Sequence, residues 1–422
     1  MLRRPLSHKC LLTTLCLLLL PQLLLAWNVE ELQMNAASSR DQVLSYQARL
    51  LQQQAQVRQQ NAAFLPQLDL YYSESKLRDE TVYEYDQTHR RGIRLSWNLF
   101  NGFTDYYQRL GASQRSEMRQ LQVRQLQHQL QQQVTRTCLD LSTQQRNLEV
   151  SRRAVELYDQ EWHNAQTQFE VGLITRNDVL KIEVERENAR LQQNSAEIQL
   201  QNLLTLLRQQ SGVEQLTLNN LDLNAFAVLP TLDEIQLPQL DHNPELLALQ
   251  SLIDAAASDH RALRGRWLPK ADLSSDLYRS DEVQEEGDEQ IKTQLTLSMN
   301  LFEGGATRAR QQEAYQFLQQ CRYDYRERAQ QLRVELSNRQ RELALARNNL
   351  QVAAISLEQA RENLRITRLA FEQGLTTSAE VLDAIFVHTR AERNVISARS
   401  DIFAATLDIR LLTGDYATYA VQ

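Results

Sequence analysis

Glycine and proline are scarce in this sequence, with 11 and 7 among 422 residues. So few turn-forming residues favour long regular elements over loops. The mean hydropathy of −0.51 excludes a bundle of apolar membrane helices. The formal net charge of −7 argues against a protein that binds nucleic acid.

Sequence patterns that carry catalysis or bind metals are also missing. There is no HExxH, no CxxC, no glycine-rich phosphate loop and no nucleophile elbow. The seven histidines are scattered, and we interpret them as solvated or helix-surface residues rather than metal ligands. We therefore expect neither an enzyme nor a protein with a cofactor.

The N-terminus has the three parts of a secretory signal. Three basic residues precede an apolar run that ends at Leu25, and the small residue Ala26 follows. The run is short and is interrupted by Pro21, so a cleaved signal peptide at 1–26 is favoured over an uncleaved membrane anchor. The bulky Leu24 leaves the exact cleavage site open.

One stretch, Gln290 to Gly304, has the alternation of a membrane strand. From Ile291 to Leu301 every second residue is apolar or threonine, and the residues between them are polar. Side chains alternate between the faces of a strand, so one face is apolar. A tilted strand of this length spans the hydrocarbon core of a bilayer. Soluble hairpins packed on helices also alternate, but the signal peptide and Trp97 near one end of a second such strand favour the membrane.

The chain is duplicated at an offset of 202 residues. Asn98 to Gly102 matches Asn300 to Gly304, and Phe169 to Leu173 matches Phe371 to Leu375. Each unit has helices, a strand hairpin, a very long helix, a glycine turn and a returning helix. The predicted organisation is a signal peptide at 1–26, a first repeat at 27–213 (hairpin about 67–101), a connector at 214–232, a second repeat at 233–414 (hairpin about 270–301) and a tail at 415–422.

The long helices carry a sustained seven-residue apolar repeat, which is the signature of coiled-coil packing. The positions are Val134, Leu141, Leu148, Val155, Trp162 and Phe169 in the first unit, and Leu336, Leu343, Leu350, Leu357, Leu364 and Phe371 in the second. About 67 residues of helix extend to roughly 100 Å. Such a length suits a structure that crosses a wide aqueous gap.

Only two cysteines, Cys138 and Cys321, lie beyond the signal peptide. Exported chains often form disulfides. Here the repeat places the two residues at points on equivalent helices that are about 28 Å apart, which is far beyond disulfide reach. We expect two free, buried or half-buried thiols.

Four lipid-type strands cannot close a barrel alone. An open sheet edge in lipid leaves N–H and C=O groups unpaired, and the smallest membrane barrels use eight strands. The chain must therefore share its barrel with other chains. The alternative is an exported coiled-coil tether or filament without a channel, which would not need the alternating strands.

The duplicated order of motifs resembles the TolC family of outer-membrane efflux channels over essentially all of the mature chain. The resemblance implies a mainly α fold in which long helical hairpins form a coiled-coil tube. It implies that four transmembrane β-strands per chain enter a barrel completed by trimerisation. It further implies an exit duct for an inner-membrane pump and a periplasmic adaptor, in an efflux or type I secretion system. The transported substrate and the identity of the pump stay open.

The resemblance also assigns site residues. Gly172, Leu173, Gly374 and Leu375 match the hairpin tips on which the adaptor docks, while Glu380, Asp383 and Asp178 match the acidic periplasmic gate. The sequence departs from the family where some members hold the tip closed with a Tyr and an Arg. It has Phe371 and Thr376 there, so a lock built on those polar links is not expected.

We predict that the chain is exported and cleaved near Ala26, because a basic segment, an apolar run and a small residue stand in the order that signal peptidase requires. N-terminal analysis of protein from the outer-membrane fraction tests this. Recovery of the full-length chain from the cytoplasm would contradict it.

Overall fold

A computed structural model describes residues 26–76, 87–230, 240–282 and 288–414. Residues 1–25 of the predicted signal peptide, much of both hairpin loops, the end of the predicted connector and the tail at 415–422 lie outside the described residues. The repeat boundaries therefore stay predictions, and the elements within the repeats follow.

Seven α-helices and four strands make up the described part of the chain. They are α1 Val29–Ser39, α2 Asp41–Ala62, β1 Gln67–Lys76, β2 Gln87–Asn101, α3 Thr104–Glu170, α4 Arg176–Ser211, α5 Pro244–Arg264, β3 Lys270–Glu282, β4 Glu289–Ser298, α6 Ala306–Glu372 and α7 Ser378–Thr413. Equivalent long helices in the two units have the same length, 67 residues for α3 and α6. The duplication predicted from sequence is thus present in the fold.

Two element boundaries differ from the sequence expectation. No proline or glycine interrupts the sequence from Val29 to Ala63, which favours one continuous helix, yet the helix breaks at Arg40, whose ψ of 137° is extended. The strand expected to reach Leu301 ends at Ser298. Apolar alternation continues past Ser298, but β3 starts at Lys270, opposite Ser298, and offers no further partner.

The apolar repeat buries one face of each long helix. Val134 and Leu141 are fully buried in α3, and Leu336 and Leu343 are buried in α6. The small residues Ala346, Ala353 and Ala360 are also buried and let the partner helix approach closely. Helix α3 packs against α4 and α7, and α7 packs against α6, so the four helices follow the order α4–α3–α7–α6.

The four strands form one antiparallel sheet in the order β1–β2–β3–β4. The central pair joins the two repeats, with Ile93 opposite Leu277. Strands β1 and β4 lie at the two edges of the sheet. On one face, aligned apolar residues extend across all four strands, because Leu70 pairs with Ile93 and Leu277 pairs with Ile291.

Two local features of the sequence have the structural roles that their residue types favour, and the first is an asparagine that directly precedes the proline at the start of α5. Asn243 caps α5, since its Oδ1 accepts from the backbone N–H of Glu245 at 2.9 Å and of Leu246 at 3.1 Å. Both cysteines are free and buried, as expected. Burial raises the pKa of the Cys138 thiol to about 12, so the thiol is uncharged and unreactive.

The junction from β2 to α3 and the junction from α5 to β3 cross at a pair of glycines. Gly102 has a φ of +60°, and a methyl group on it would overlap the carbonyl oxygen of Gly265. Gly265 approaches Gly102 equally closely from its side. The strand hairpins are thereby fixed to the helices by backbone contact.

Among the described residues, no helix is both long enough and apolar enough to cross a bilayer.

We predict that Gly102→Ala costs at least about 2 kcal/mol in the free energy of unfolding, because it adds a steric overlap to a left-handed backbone. Gly374 is the matched control: its φ is +69° but nothing lies within 4 Å of an added methyl group. Gly374→Ala should cost about 1 kcal/mol. Denaturant unfolding of the two variants measures the difference, and equal losses would contradict the close approach.

Candidate functional site: the helical tips and the acidic residues beside them

Each long helix ends in the same turn. Gly172 has a φ of +78° and Gly374 a φ of +69°. The next residue closes the turn in both units: Leu173 N–H donates to Gln168 O, and Leu375 N–H donates to Ala370 O, each at 2.8 Å. This is the glycine-terminated helix end expected from the sequence.

The apex of each turn presents one leucine to solvent. Leu173 and Leu375 are each 75% exposed. Both follow a glycine around which the structure is open. Leu173 and Leu375 are therefore two exposed apolar side chains at equivalent turns, at the end of the helices away from the sheet.

Asp178 has a structural role in the first turn of α4. Its Oδ2 accepts from the hydroxyl of Thr175 at 2.7 Å and from the Thr175 N–H at 3.2 Å, and Thr175 Oγ1 accepts from the Asp178 N–H at 3.4 Å. This is a reciprocal capping box. The Thr175 hydrogen bond, with help from Lys181 and Ser378, lowers the pKa of Asp178. The stabilisation is thus present above the usual carboxyl pKa of about 4 and is lost as pH falls through the lowered value.

Glu380 and Asp383 share the exposed face of α7. Glu380 lies in the first turn and accepts a hydrogen bond from the Thr376 hydroxyl. Asp383 follows one turn later, so the two carboxylates project the same way. Val381, Ala384 and Ile385 on the opposite face are buried.

Asp383 lines a groove of about 680 Å³ between α4 and α7. The groove also contains Glu185 and Lys181 from α4, and Tyr158 from α3 lies against it. Burial raises the pKa of Tyr158 to about 12, with Glu185 and Asp383 adding to the effect. Glu185 was not predicted from the sequence, although it stands seven residues after Asp178 and hence on the same helix face.

Phe371 and Thr376, the two departures from the family, have local roles here. Phe371 is 5% exposed and belongs to an apolar cluster drawn from all four tube helices. The cluster contains Tyr158, Ala189, Leu364, Phe371, Val381, Ala384 and Ile385. Thr376 bonds only within its own tip, to Glu380. The two hairpins are thus held together by apolar packing at this position.

Two ion pairs link the hairpins behind this cluster. Arg368 Nη2 of α6 lies 2.8 Å from Glu161 Oε1 of α3, whose side chain is 5% exposed. The two groups are not aligned for a hydrogen bond, so the attraction is chiefly electrostatic. Arg153 of α3 lies 3.6 Å from Glu392 of α7. No sequence signal identifies these pairs, because the partners are more than 200 residues apart.

Among the residues that the structure describes, no cluster of three or more His, Cys, Asp or Glu side chains could hold a metal ion.

The capping difference between the tips gives a matched test. Thr175→Ala removes the box at the start of α4 and should cost about 1 kcal/mol. Thr377 stands at the equivalent position of α7 but makes no side-chain cap bond, so Thr377→Ala should change little. Amide hydrogen exchange in the first turn of each helix is the measurement. Equal increases in exchange at both tips would refute the assigned roles.

Known structures share this architecture. A crystal structure of a membrane protein from Pseudomonas aeruginosa superposes with a TM-score of 0.82 at 18% identity, covering 92% of this chain and 93% of that one. The outer membrane protein VceC from Vibrio cholerae gives 0.80 at 16% identity, covering 92% and 96%. At these identities the likeness is one of fold.

Sequence comparison goes further than the fold. Outer membrane protein TolC of Vibrio cholerae serotype O1 is 24% identical over 409 residues, which cover 92% of this chain and 91% of that protein. The sequence model of the outer membrane efflux protein family matches residues 32–213 and 239–415. The matched segments include both strand hairpins, both tips and all the acidic residues described above. The chain therefore belongs to the outer membrane efflux protein family.

Proposed function

We propose that three copies of this outer-membrane channel protein form one exit duct, which passes substrates from an inner-membrane pump and periplasmic adaptor across the periplasm and outer membrane. The observation that most supports this proposal is a four-stranded sheet with two edge strands, joined to two helices of 67 residues each. The number three comes from the resemblance to the TolC family. Transport through such a duct requires no chemistry at this protein.

The sheet supports the shared barrel. In the bilayer core, edge strands β1 and β4 need partners for their backbone groups. A copy on each side supplies them by pairing its β4 with β1 of the next copy. Three four-stranded sheets then close into a twelve-stranded barrel.

The helices support the same closure. Helices α4 and α6 lie at the two ends of the order α4–α3–α7–α6. Each carries apolar residues that are more than 50% exposed and follow heptad spacing: Val184, Leu191 and Ile198 on α4, and Leu345, Val352 and Ile366 on α6. Val184 and Leu191 also border grooves between α4 and α7 of the same chain. Apolar heptad positions are the contacts of coiled coils. Packing of α4 on α6 of the neighbouring copy covers both stripes and closes a tube.

The ion pairs and the Phe371 cluster would stabilise a closed tip in place of the Tyr and Arg links that some family members use. Breaking a buried ion pair leaves an uncompensated charge and costs several kcal/mol. Glu161 with Arg368, together with the packing of Phe371, therefore resists separation of the two hairpins. We assign the closed state of the tip to these contacts.

The tips are the proposed docking points for the adaptor. A charged residue in place of Leu173 or Leu375 should abolish efflux while the assembly stays intact, because an exposed apolar knob suits a groove on a partner. Drug susceptibility of cells that carry Leu173→Glu or Leu375→Glu measures this. Val228→Glu is the control, since Val228 is 78% exposed and belongs to the connector, not to a tip. Full resistance in both tip variants would exclude docking there.

The acidic gate gives the test of channel function. In a three-fold tube Glu380 and Asp383 become two rings of three carboxylates, which should favour cations and bind a trivalent cation. Single-channel recording in a planar bilayer should show that Glu380→Gln with Asp383→Asn loses cation preference and block by a trivalent cation. The control is Glu358→Gln with Glu362→Gln, two exposed acids on α6. No conductance in the unmodified protein would reject the duct, and unchanged selectivity in the double variant would reject the gate.

A further inference from the structure

The groove between α4 and α7 has apolar walls that the chain itself leaves uncovered. Its volume is about 680 Å³, which lies within the range of sites for small organic molecules. Leu180 of α4 and Phe386 of α7 line it, and they are 46% and 55% exposed. An apolar surface inside a concave site is suited to an apolar ligand group.

The same groove carries a net negative charge. Glu185 of α4 and Asp383 of α7 contribute carboxylates, and Lys181 contributes one ammonium group. Two acids against one lysine leave one unit of negative charge, and Lys181 also acts on Asp178, one turn earlier on α4. Within the described parts of the chain, neither Glu185 nor Asp383 forms an ion pair or a side-chain hydrogen bond. Both carboxylates are therefore available to a cation.

Tyr158 of α3 places a buried polar group against the groove. Its side chain is 6% exposed, and it lines the groove. Burial, Glu185 and Asp383 raise the pKa of its hydroxyl, so the group stays protonated and neutral near pH 7. The hydroxyl has no hydrogen-bond partner among the described residues. Buried polar groups normally have one, and a ligand in the groove would supply it.

We propose that this groove binds a small amphipathic organic cation, in which an apolar or aromatic group is attached to a protonated amine. The ammonium N–H groups donate to the carboxylates of Glu185 and Asp383 and to the hydroxyl oxygen of Tyr158, and hydrogen bonds between charged groups are the strong ones. The apolar part lies against Leu180 and Phe386. A compact metal ion would use the carboxylates alone and leave the apolar walls in water.

The charges along the groove orient the ligand. Beyond Tyr158 and Phe386 the groove continues into a second one of about 540 Å³, which contains Arg390 and Arg393. These arginines repel an ammonium group, whereas the carboxylates nearer the tip attract it. The ammonium group therefore lies toward the tip, and the apolar part extends away from it.

This inference rests on the proposed duct, in which Asp383 faces the pore. The groove that Asp383 lines then opens into the path of transported molecules, with one groove in each copy. Val184 belongs both to this groove and to the stripe assigned to the neighbouring copy, but Leu180 and Phe386 lie outside that stripe. They remain for the ligand when the copies assemble.

Monodansylcadaverine is the probe, because it joins an apolar fluorescent ring system to a primary ammonium group. Titration of the mature, assembled protein in lipid nanodiscs, with empty nanodiscs subtracted, should give saturable, blue-shifted emission. The N-acetylated probe keeps the rings and loses the charge, so it should bind at least about tenfold more weakly.

Matched variants locate the binding. Glu185→Gln should weaken binding of the amine about tenfold, because it removes a charged acceptor. Glu183→Gln is the control: Glu183 lies two residues earlier on α4, is not among the described residues that line the groove, and changes the net charge equally. It should bind as the unmodified protein does. Should Glu185→Gln fail to assemble, Phe386→Ala removes an exposed wall of the groove and should still weaken binding.

The outcomes separate the groove from the duct. Equal binding of the amine and its acetylated form, or equal losses in Glu185→Gln and Glu183→Gln, overturns the site. A loss in Glu380→Gln as large as in Glu185→Gln assigns the probe to the carboxylate rings of the gate and also overturns it. A preparation that conducts in single-channel recording but shows no saturable binding has its groove filled by a neighbouring copy, which overturns the site and leaves the duct. Saturable binding by a protein that never conducts keeps the groove and overturns the duct.

Discussion

Backbone hydrogen bonding in lipid is the constraint on which the rest of this structure depends. A strand in a bilayer cannot leave its N–H and C=O groups unpaired, yet β1 and β4 each stand at an edge of the sheet. In the proposed assembly, further copies of the chain complete the membrane sheet. In that proposed barrel, the apolar face of the sheet, with its row of aligned leucines and isoleucines, meets lipid.

The helices, like the strands, have two outermost elements with surfaces that a neighbouring copy could cover. Helices α4 and α6 lie at the two ends of the order α4–α3–α7–α6, and each exposes an apolar stripe. In the proposed assembly, the rotation that pairs β4 with the neighbouring β1 also brings α6 toward the neighbouring α4. The backbone contact between Gly102 and Gly265 joins the sheet to the helices, so the proposed barrel and tube share one axis.

Periodic features could be predicted from the sequence, and pairings across the fold could not. The heptads of α3 and α6 and the glycine turns follow from local spacing, which is why they were found. The break at Arg40 was missed because no proline or glycine marks it. The Glu161–Arg368 pair and the groove that joins Glu185 to Asp383 depend on how four helices pack, and a single sequence does not reveal that packing.

The duplication also hides differences that only the structure separates. Thr175 and Thr377 occupy equivalent positions, but only Thr175 makes a side-chain cap bond with its helix. Thr175 caps α4 together with Asp178. The residue equivalent to Asp178 in α7 is Glu380, which accepts a hydrogen bond from Thr376 instead. Asp178 consequently belongs to the capping of α4 as well as to the proposed gate. Family resemblance pointed to these positions at the tips, and it did not assign these separate roles.

Closure by further copies is the central claim, and the mass of the assembly tests it most directly. Multi-angle light scattering on the mature protein in a mild detergent, corrected for bound detergent, gives the protein mass of the particle. Closure by three copies predicts three times the mass of the mature chain. It also predicts that Ile198→Glu weakens the assembly, because Ile198 is exposed on α4, whereas Ile182 of the same helix is buried within the chain and takes no part in the contact. A stable, folded particle with the mass of one chain would contradict it.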